Sequence, residues 1–156
     1  KRFIHKNGND IWVFINMGQA ILLSIPAINL YTHGTHITVA HAMGTTIGIN
    51  SMILLAACFE FIKPNLFSSK PSSKYLNSIF WILQSSLLVF WITLNIAGFK
   101  KGIWQMSENQ ISYTKMMESL YPYFVVFVIA GFGLLISFFA ISIKLLKNTT
   151  NSLIIK

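Results

Sequence analysis

Long apolar stretches alternate with short polar ones along the chain, and four of the apolar stretches, 11–31, 36–62, 75–98 and 121–143, are long enough to cross a bilayer. About 20 mostly apolar residues, rising ~1.5 Å each, span the hydrocarbon of a membrane as a helix. The pattern therefore predicts an all-α membrane protein with four transmembrane helices. Residues 1–156 read as a single transmembrane helical region, and the start at Lys1 suggests a fragment. The first connection, Thr32-His33-Gly34-Thr35, is a tight turn in which Gly34 can supply a positive φ, so the first two spans form an antiparallel hairpin. KPNLFSSKPSSK, with Pro64 and Pro71, reads as a polar loop, and KKGIWQMSENQISYTKMMES as a longer aromatic connection on the membrane surface. Pro26 is expected to kink the first span beside Asn29.

Composition agrees with a lipid environment. The chain is 54% hydrophobic and 10% charged, with a mean hydropathy of +0.61, whereas a soluble domain carries about 25% charged residues. A formal net charge of +8 raises nucleic acid as a partner, but the basic residues flank apolar runs, which points to membrane lipid instead. Lys1, Arg2, Lys6, Lys63, Lys70, Lys74, Lys144, Lys147 and Lys156 fall on one side. Lys100, Lys101 and Lys115 fall on the other, beside Glu108 and Glu118. The positive-inside rule then places both termini in the cytoplasm and the His33 turn outside. Tyr31, Trp104, Tyr113, Tyr121 and Tyr123 would form an outer aromatic belt. The first apolar run lacks a cleavable-signal pattern, which argues against a processed secretory protein. Cys58 is the single cysteine, excluding an internal disulfide framework and a multi-cysteine metal site, and it reads as a small buried hydrophobe. No phosphate loop, nucleophile elbow or HExxH motif is present.

Polar groups inside the spans are the informative ones, because an unsatisfied group is costly in hydrocarbon. His33, His36 and His41 lie within nine residues and are followed by Met43. At 100° per residue, His41 and Met43 point about 200° apart, so they cannot chelate one ion together. Each can instead ligate its own prosthetic group, and imidazole and thioether are both axial ligands of haem iron. Gly44 and Gly48 remove side chains from a stripe that either a flat macrocycle or a neighbouring helix can use; a packing seam with no cofactor is the competing reading. His41 would lie roughly 8 Å below the outer boundary at ~1.5 Å per residue. His33 and His36 lie nearer that boundary, within reach of haem propionates, water or backbone carbonyls. Gln19, Asn50, Gln84 and Asn95 read as interhelical hydrogen bonders, Glu60 as a solvated flank, and Met116 and Met117 as outer-loop residues packed at the surface.

The stretch IPAINLYTHGTHITVAHAMGTTIGINSMILL resembles the region joining the ninth and tenth helices of the haem–copper oxidase superfamily, specifically the catalytic (large, cytochrome b) subunit of bacterial nitric oxide reductases. FWILQSSLLVFWITLNIAGFKKGIWQ and the run from Tyr121 resemble that family's last two helices. The resemblance implies the last four helices of a twelve-helix bundle in the bacterial cytoplasmic membrane. It also implies a step of denitrification in which two NO, two electrons and two protons give N2O and water, with cytochrome c or quinol as electron donor. It carries His41 onto the proximal ligand of a high-spin haem b, and His33 onto the turn histidine. Met43 stands where the family has the histidine that ligates the low-spin haem b, and Ala42 stands for a glycine. His36 occupies a variable position. The family's non-haem iron has its ligands on helices outside this chain. Two alternatives stay open: an oxygen-reducing C-type haem–copper cytochrome c oxidase subunit I, and a non-catalytic helix-packing or assembly subunit without haem.

Overall fold

A computed structural model describes residues 3–66, 70–108 and 111–154. Helices α1 (Phe3–Ser24), α2 (Pro26–Thr32) and α3 (His36–Met43) are followed by a π-helical segment (Gly44–Ser51) and then α4 (Met52–Leu66), α5 (Lys70–Met106) and α6 (Tyr113–Ile154). The described residues contain no strand. Three helices, His36–Glu60, Lys74–Met106 and Tyr113–Lys147, are long and apolar enough to cross a membrane, and the pair α1 and α2 makes a fourth if it is counted as one span. Lys1, Arg2 and Lys156, three of the predicted cytoplasmic basic flanks, lie outside the described residues.

The predicted first span is broken rather than kinked. Ile25 adopts an extended conformation (φ −74°, ψ 119°), Pro26 starts a new helix, and the two axes meet at 99°. A proline disfavours the α conformation in the residue before it and suits the first position of a helix, so the break falls at Ile25 and not beside Asn29. The turn after α2 follows expectation. Gly34 takes φ +73°, and the Thr35 side chain caps α3 by accepting from the Ile37 N–H.

Two expected loops are mostly helical. α4 continues through Pro64 to Leu66 and α5 begins at Lys70, leaving only 67–69, outside the described residues, for the serine-rich connection. The third connection shrinks to 107–112 because lysine and tryptophan extend α5 without breaking its turns. Its end is tied back by Trp104, whose Nε1 donates to the Ile111 carbonyl at 2.8 Å. Met116, expected at the surface, is buried with Ala97 and Leu120 where α5 meets α6.

α1 packs antiparallel to α3 and the π segment, and α5 antiparallel to α6, whereas α1 runs parallel to α5. Trp12, Asn16 and Gln19 of α1 face Gly48, Thr45 and Ile37 respectively. Along α5, Phe90 stacks on Phe127 at 4.4 Å, and Trp104 meets Tyr113 at 6.0 Å. Leu83, Leu87, Leu120 and Ile141 are fully buried. Tyr31, Trp104, Tyr113 and Tyr123 gather at one end of the bundle: the Tyr31 backbone abuts Gly102, and Lys100 Nζ sits 4.6 Å from the Tyr123 ring.

A Cβ at Gly48 would lie 2.8 Å from the Trp12 indole, whereas one at Gly18 would meet nothing within 4 Å. Gly48→Ala should therefore cost about 1–3 kcal/mol through overpacking. Gly18→Ala, in an open helical position, should gain about 0.5–1 kcal/mol. Reversible unfolding of both variants in bicelles measures the difference, and equal stabilities would contradict the close approach of α1.

Candidate functional site

One face of α1 carries three polar or amphipathic side chains, Trp12, Asn16 and Gln19, spaced four and three residues apart and all buried. Each is satisfied by another helix. Trp12 Nε1 donates to Gln84 Oε1 at 2.8 Å, and Gln84 Nε2 reaches Met52 Sδ at 3.4 Å. In the reciprocal sense, Trp91 Nε1 of α5 donates to Gln19 Oε1 at 3.2 Å. Gln19 Nε2 donates to Asn95 Oδ1 at 2.7 Å, and Asn95 Nδ2 to the Trp91 carbonyl at 2.9 Å. The two indoles meet edge to face, 6.2 Å apart at 75°. Gln19, Gln84 and Asn95 are thus interhelical hydrogen bonders, as expected, while Asn50 is exposed.

Between these two tryptophan–glutamine bonds lies Asn16, against the start of the π segment. Its amide nitrogen donates to the His41 carbonyl at 3.1 Å, and its oxygen accepts from the Thr45 N–H at 3.2 Å. Those two backbone groups are the partners that would bond each other in an uninterrupted α-helix. A side-chain amide that bonds both groups competes with that bond, and such insertion is one recognised way for the ladder to open. The same nitrogen lies 3.2 Å from His41 Nδ1.

The four candidate residues do not converge on one point. His33 is exposed in the turn, where its backbone N–H bonds the Asn29 carbonyl at 2.8 Å. His36 is half-buried, its ring 5.2 Å from Phe124 of α6, and its buried Nδ1 has no hydrogen-bond partner in the protein. His41 is half-buried and turned to Asn16 of α1. Met43 is partly buried against the main hydrophobic cluster. Gly44 and Gly48 serve the neighbouring helix: added Cβ atoms would strike Asn16 Oδ1 at 2.6 Å and the Trp12 ring at 2.8 Å. A flat macrocycle has no room on that face.

No group of three or more His, Cys, Asp or Glu able to hold a bare metal ion occurs among the described residues. A prosthetic group that brings its own equatorial donors and needs one axial nitrogen matches this donor set better. His41, half-buried in the apolar helix, is the candidate for that axial nitrogen, with the Asn16 amide beside its Nδ1. Asn16 and Trp12 were missed in the sequence reading; the signal was a 12, 16, 19 stripe within an apolar run.

Residues 11–136 match the family described as cytochrome c and quinol oxidase polypeptide I. A protein of Agrobacterium tumefaciens (strain T37) named cytochrome c oxidase subunit 1 homolog is 26% identical over 117 residues, covering 70% of this chain and 22% of that protein. The chain therefore spans less than a quarter of that relative's length. No solved structure matches.

His36→Phe exchanges an unsatisfied ring for an apolar one that keeps the stacking on Phe124. Thermal unfolding in detergent should show stability unchanged or raised by up to about 1 kcal/mol, because the lost Nδ1 makes no bond. A clear loss would reveal a protein partner at that nitrogen.

Proposed function

The chain belongs to the cytochrome c and quinol oxidase polypeptide I family, and from that premise we propose that it forms the last four helices of a haem-bearing catalytic subunit of the nitric oxide reductase type. The observation that carries this reading is His41, a half-buried imidazole in an apolar helix. In the proposal it is the proximal ligand of a high-spin haem b. Met43, on another side of the same helix, ligates a low-spin haem b, and a His/Met pair raises the reduction potential of such a haem. His36 and His33 lie toward the turn, where their nitrogens can meet propionates.

Bound haem and non-haem iron would supply the electron chemistry that joins two NO molecules into N2O and water. This chain's residues do the holding. The Trp12–Gln84 and Trp91–Gln19 bonds fix α1 against α5, and Asn16 fixes the backbone beside His41. The apolar helices exclude water around them. Cytochrome c or quinol would supply electrons, the non-haem iron ligands would lie on helices outside this chain, and the subunit would sit in the bacterial cytoplasmic membrane with both termini cytoplasmic.

A second reading, reduction of oxygen by a cytochrome c oxidase subunit I, is favoured by the printed name of the Agrobacterium relative. Turnover of the intact subunit with NO and with O2 separates the two gases.

In the intact, haem-loaded subunit, His41→Ala should abolish the high-spin haem absorbance and turnover. A full high-spin spectrum in that variant would refute His41 ligation. Met43→Ala should remove the low-spin band or shift its potential, and Met43→His should restore a low-spin centre at lower potential. Identical spectra and potentials in both would remove Met43 from the ligand set.

A further inference from the structure

An open cavity of about 350 Å³ lies where the last turns of α5 face the start of α6, at the end of the bundle that carries the His33 turn. Ligand sites of small molecules begin at about that size. Its wall is of two kinds: Lys100, Ser107 and Ser119 are polar, while Ile103 and Trp104 are apolar. The Trp104 indole, donating to the Ile111 carbonyl at 2.8 Å, closes one side. Among the described residues Lys100 is the only charged one in that wall. Its neighbour Lys101 is turned away, donating to the Gly34 carbonyl at 3.3 Å. Lys100 Nζ rests 4.6 Å from the Tyr123 ring centroid, and an ammonium with three N–H groups keeps donors for a further partner. The carbonyl end of α5 and the amide end of α6 bring partial charges of opposite sign. The formal charge of Lys100 therefore decides that the ligand is an anion.

An apolar track leads out of the cavity. Ile92, Ile96, Phe99 and Ile103 recur four, three and four residues apart along α5 and are all exposed, a spacing that puts them on one face of the helix. The track ends in the cavity wall at Ile103. Helix seams in membranes favour small residues that let backbones approach, as Gly48 does under Trp12. These four side chains are large, with Phe99 63% exposed, so the face suits an acyl chain better than another helix. A basic side chain near a helix end carries its charge to the membrane boundary, where anionic headgroups meet it. We propose that this cavity and track bind one anionic diacyl phospholipid. Its phosphate meets Lys100 Nζ, its headgroup oxygens meet the Ser107 and Ser119 hydroxyls, and one acyl chain lies along Ile103, Phe99 and Ile96. A free anion would gain nothing from the track, and a zwitterionic lipid brings its own cation to the phosphate. The inference stands on α5 and α6 as membrane spans and is independent of haem.

The test is native mass spectrometry of the intact, delipidated subunit titrated with dioleoylphosphatidylglycerol, dioleoylphosphatidylcholine or inorganic phosphate. The wild type should retain at least one phosphatidylglycerol more tightly than phosphatidylcholine. Lys100→Gln should weaken that binding about fivefold, the equivalent of ~1 kcal/mol for one basic residue at an anionic lipid surface, and leave phosphatidylcholine unaffected. Lys100→Arg should keep the preference, since the charge stays. Lys115→Gln, an exposed lysine outside the wall, should match the wild type. Ile103→Ala should weaken phosphatidylglycerol with Lys100 intact, which keeps the test decisive if Lys100→Gln fails to fold. Equal phosphatidylglycerol binding in the wild type, Lys100→Gln and Ile103→Ala overturns the proposal and is the result expected if another helix covers the cavity. Inorganic phosphate binding as tightly as phosphatidylglycerol, with no effect of Ile103→Ala, overturns it in favour of a free-anion site.

Discussion

A polar group set among apolar helices has to find its partner within the protein, because hydrocarbon offers none. α1 meets that constraint with three residues on one face. Trp12 and Gln19 reach α5, and Asn16 reaches the backbone at the junction of α3 and the π segment. Each interhelical hydrogen bond of this kind contributes only about 0.6 kcal/mol on average. Direction matters more than strength here, since the partners lie both on α5 and at the junction of α3 and the π segment, and together allow α1 one register. Sliding α1 by a turn would break the bonds of two indole N–H groups and of the Asn16, Gln19 and Gln84 carboxamides at once.

The same constraint explains the wide helical segment. The Asn16 amide bonds the His41 carbonyl and the Thr45 N–H at the head of the wide turns, and the chain continues as a π-helix through Ser51 before narrowing at Met52. Segments of this type are rare and concentrate at functional sites. In this chain the segment follows directly on Met43, two residues after His41. Gly44 and Gly48 permit it by letting Asn16 and Trp12 come close, so the face that looked open to a macrocycle is filled by α1. Any group bonded to His41 has to approach from beyond that face.

The helices were legible because apolar length is an unambiguous signal at 18 or more residues, and the Gly34 turn because a positive φ between two such runs calls for glycine. Helix ends were not. Lys100, Lys101 and Trp104 read as the edge of a loop by hydropathy, but lysine and tryptophan do not stop a helix, and their long side chains fold back onto Tyr123 and Ile111. The break at Ile25 was placed too late because a proline acts on the residue before it. At the site, the histidines stood out as costly residues. Asn16 did not, because its meaning comes from a contact with position 41, 25 residues away, that no local pattern encodes.

His41 and Met43 bracket Ala42, and on their helix Thr38, Val39, Ala42 and Thr46 form an exposed stripe between the two half-buried side chains. Small residues dominate that stripe. A large rigid group bonded to either ligand would lie along its edges, against residues that offer little bulk to enclose it. The chain spans only 22% of its Agrobacterium relative, and exposed apolar residues such as Leu54, Ile129 and Leu30 cover its outer faces. In a subunit of the relative's length, further helices would cover the stripe. The axial atoms proposed for this part stand on a helix that α1 holds in register.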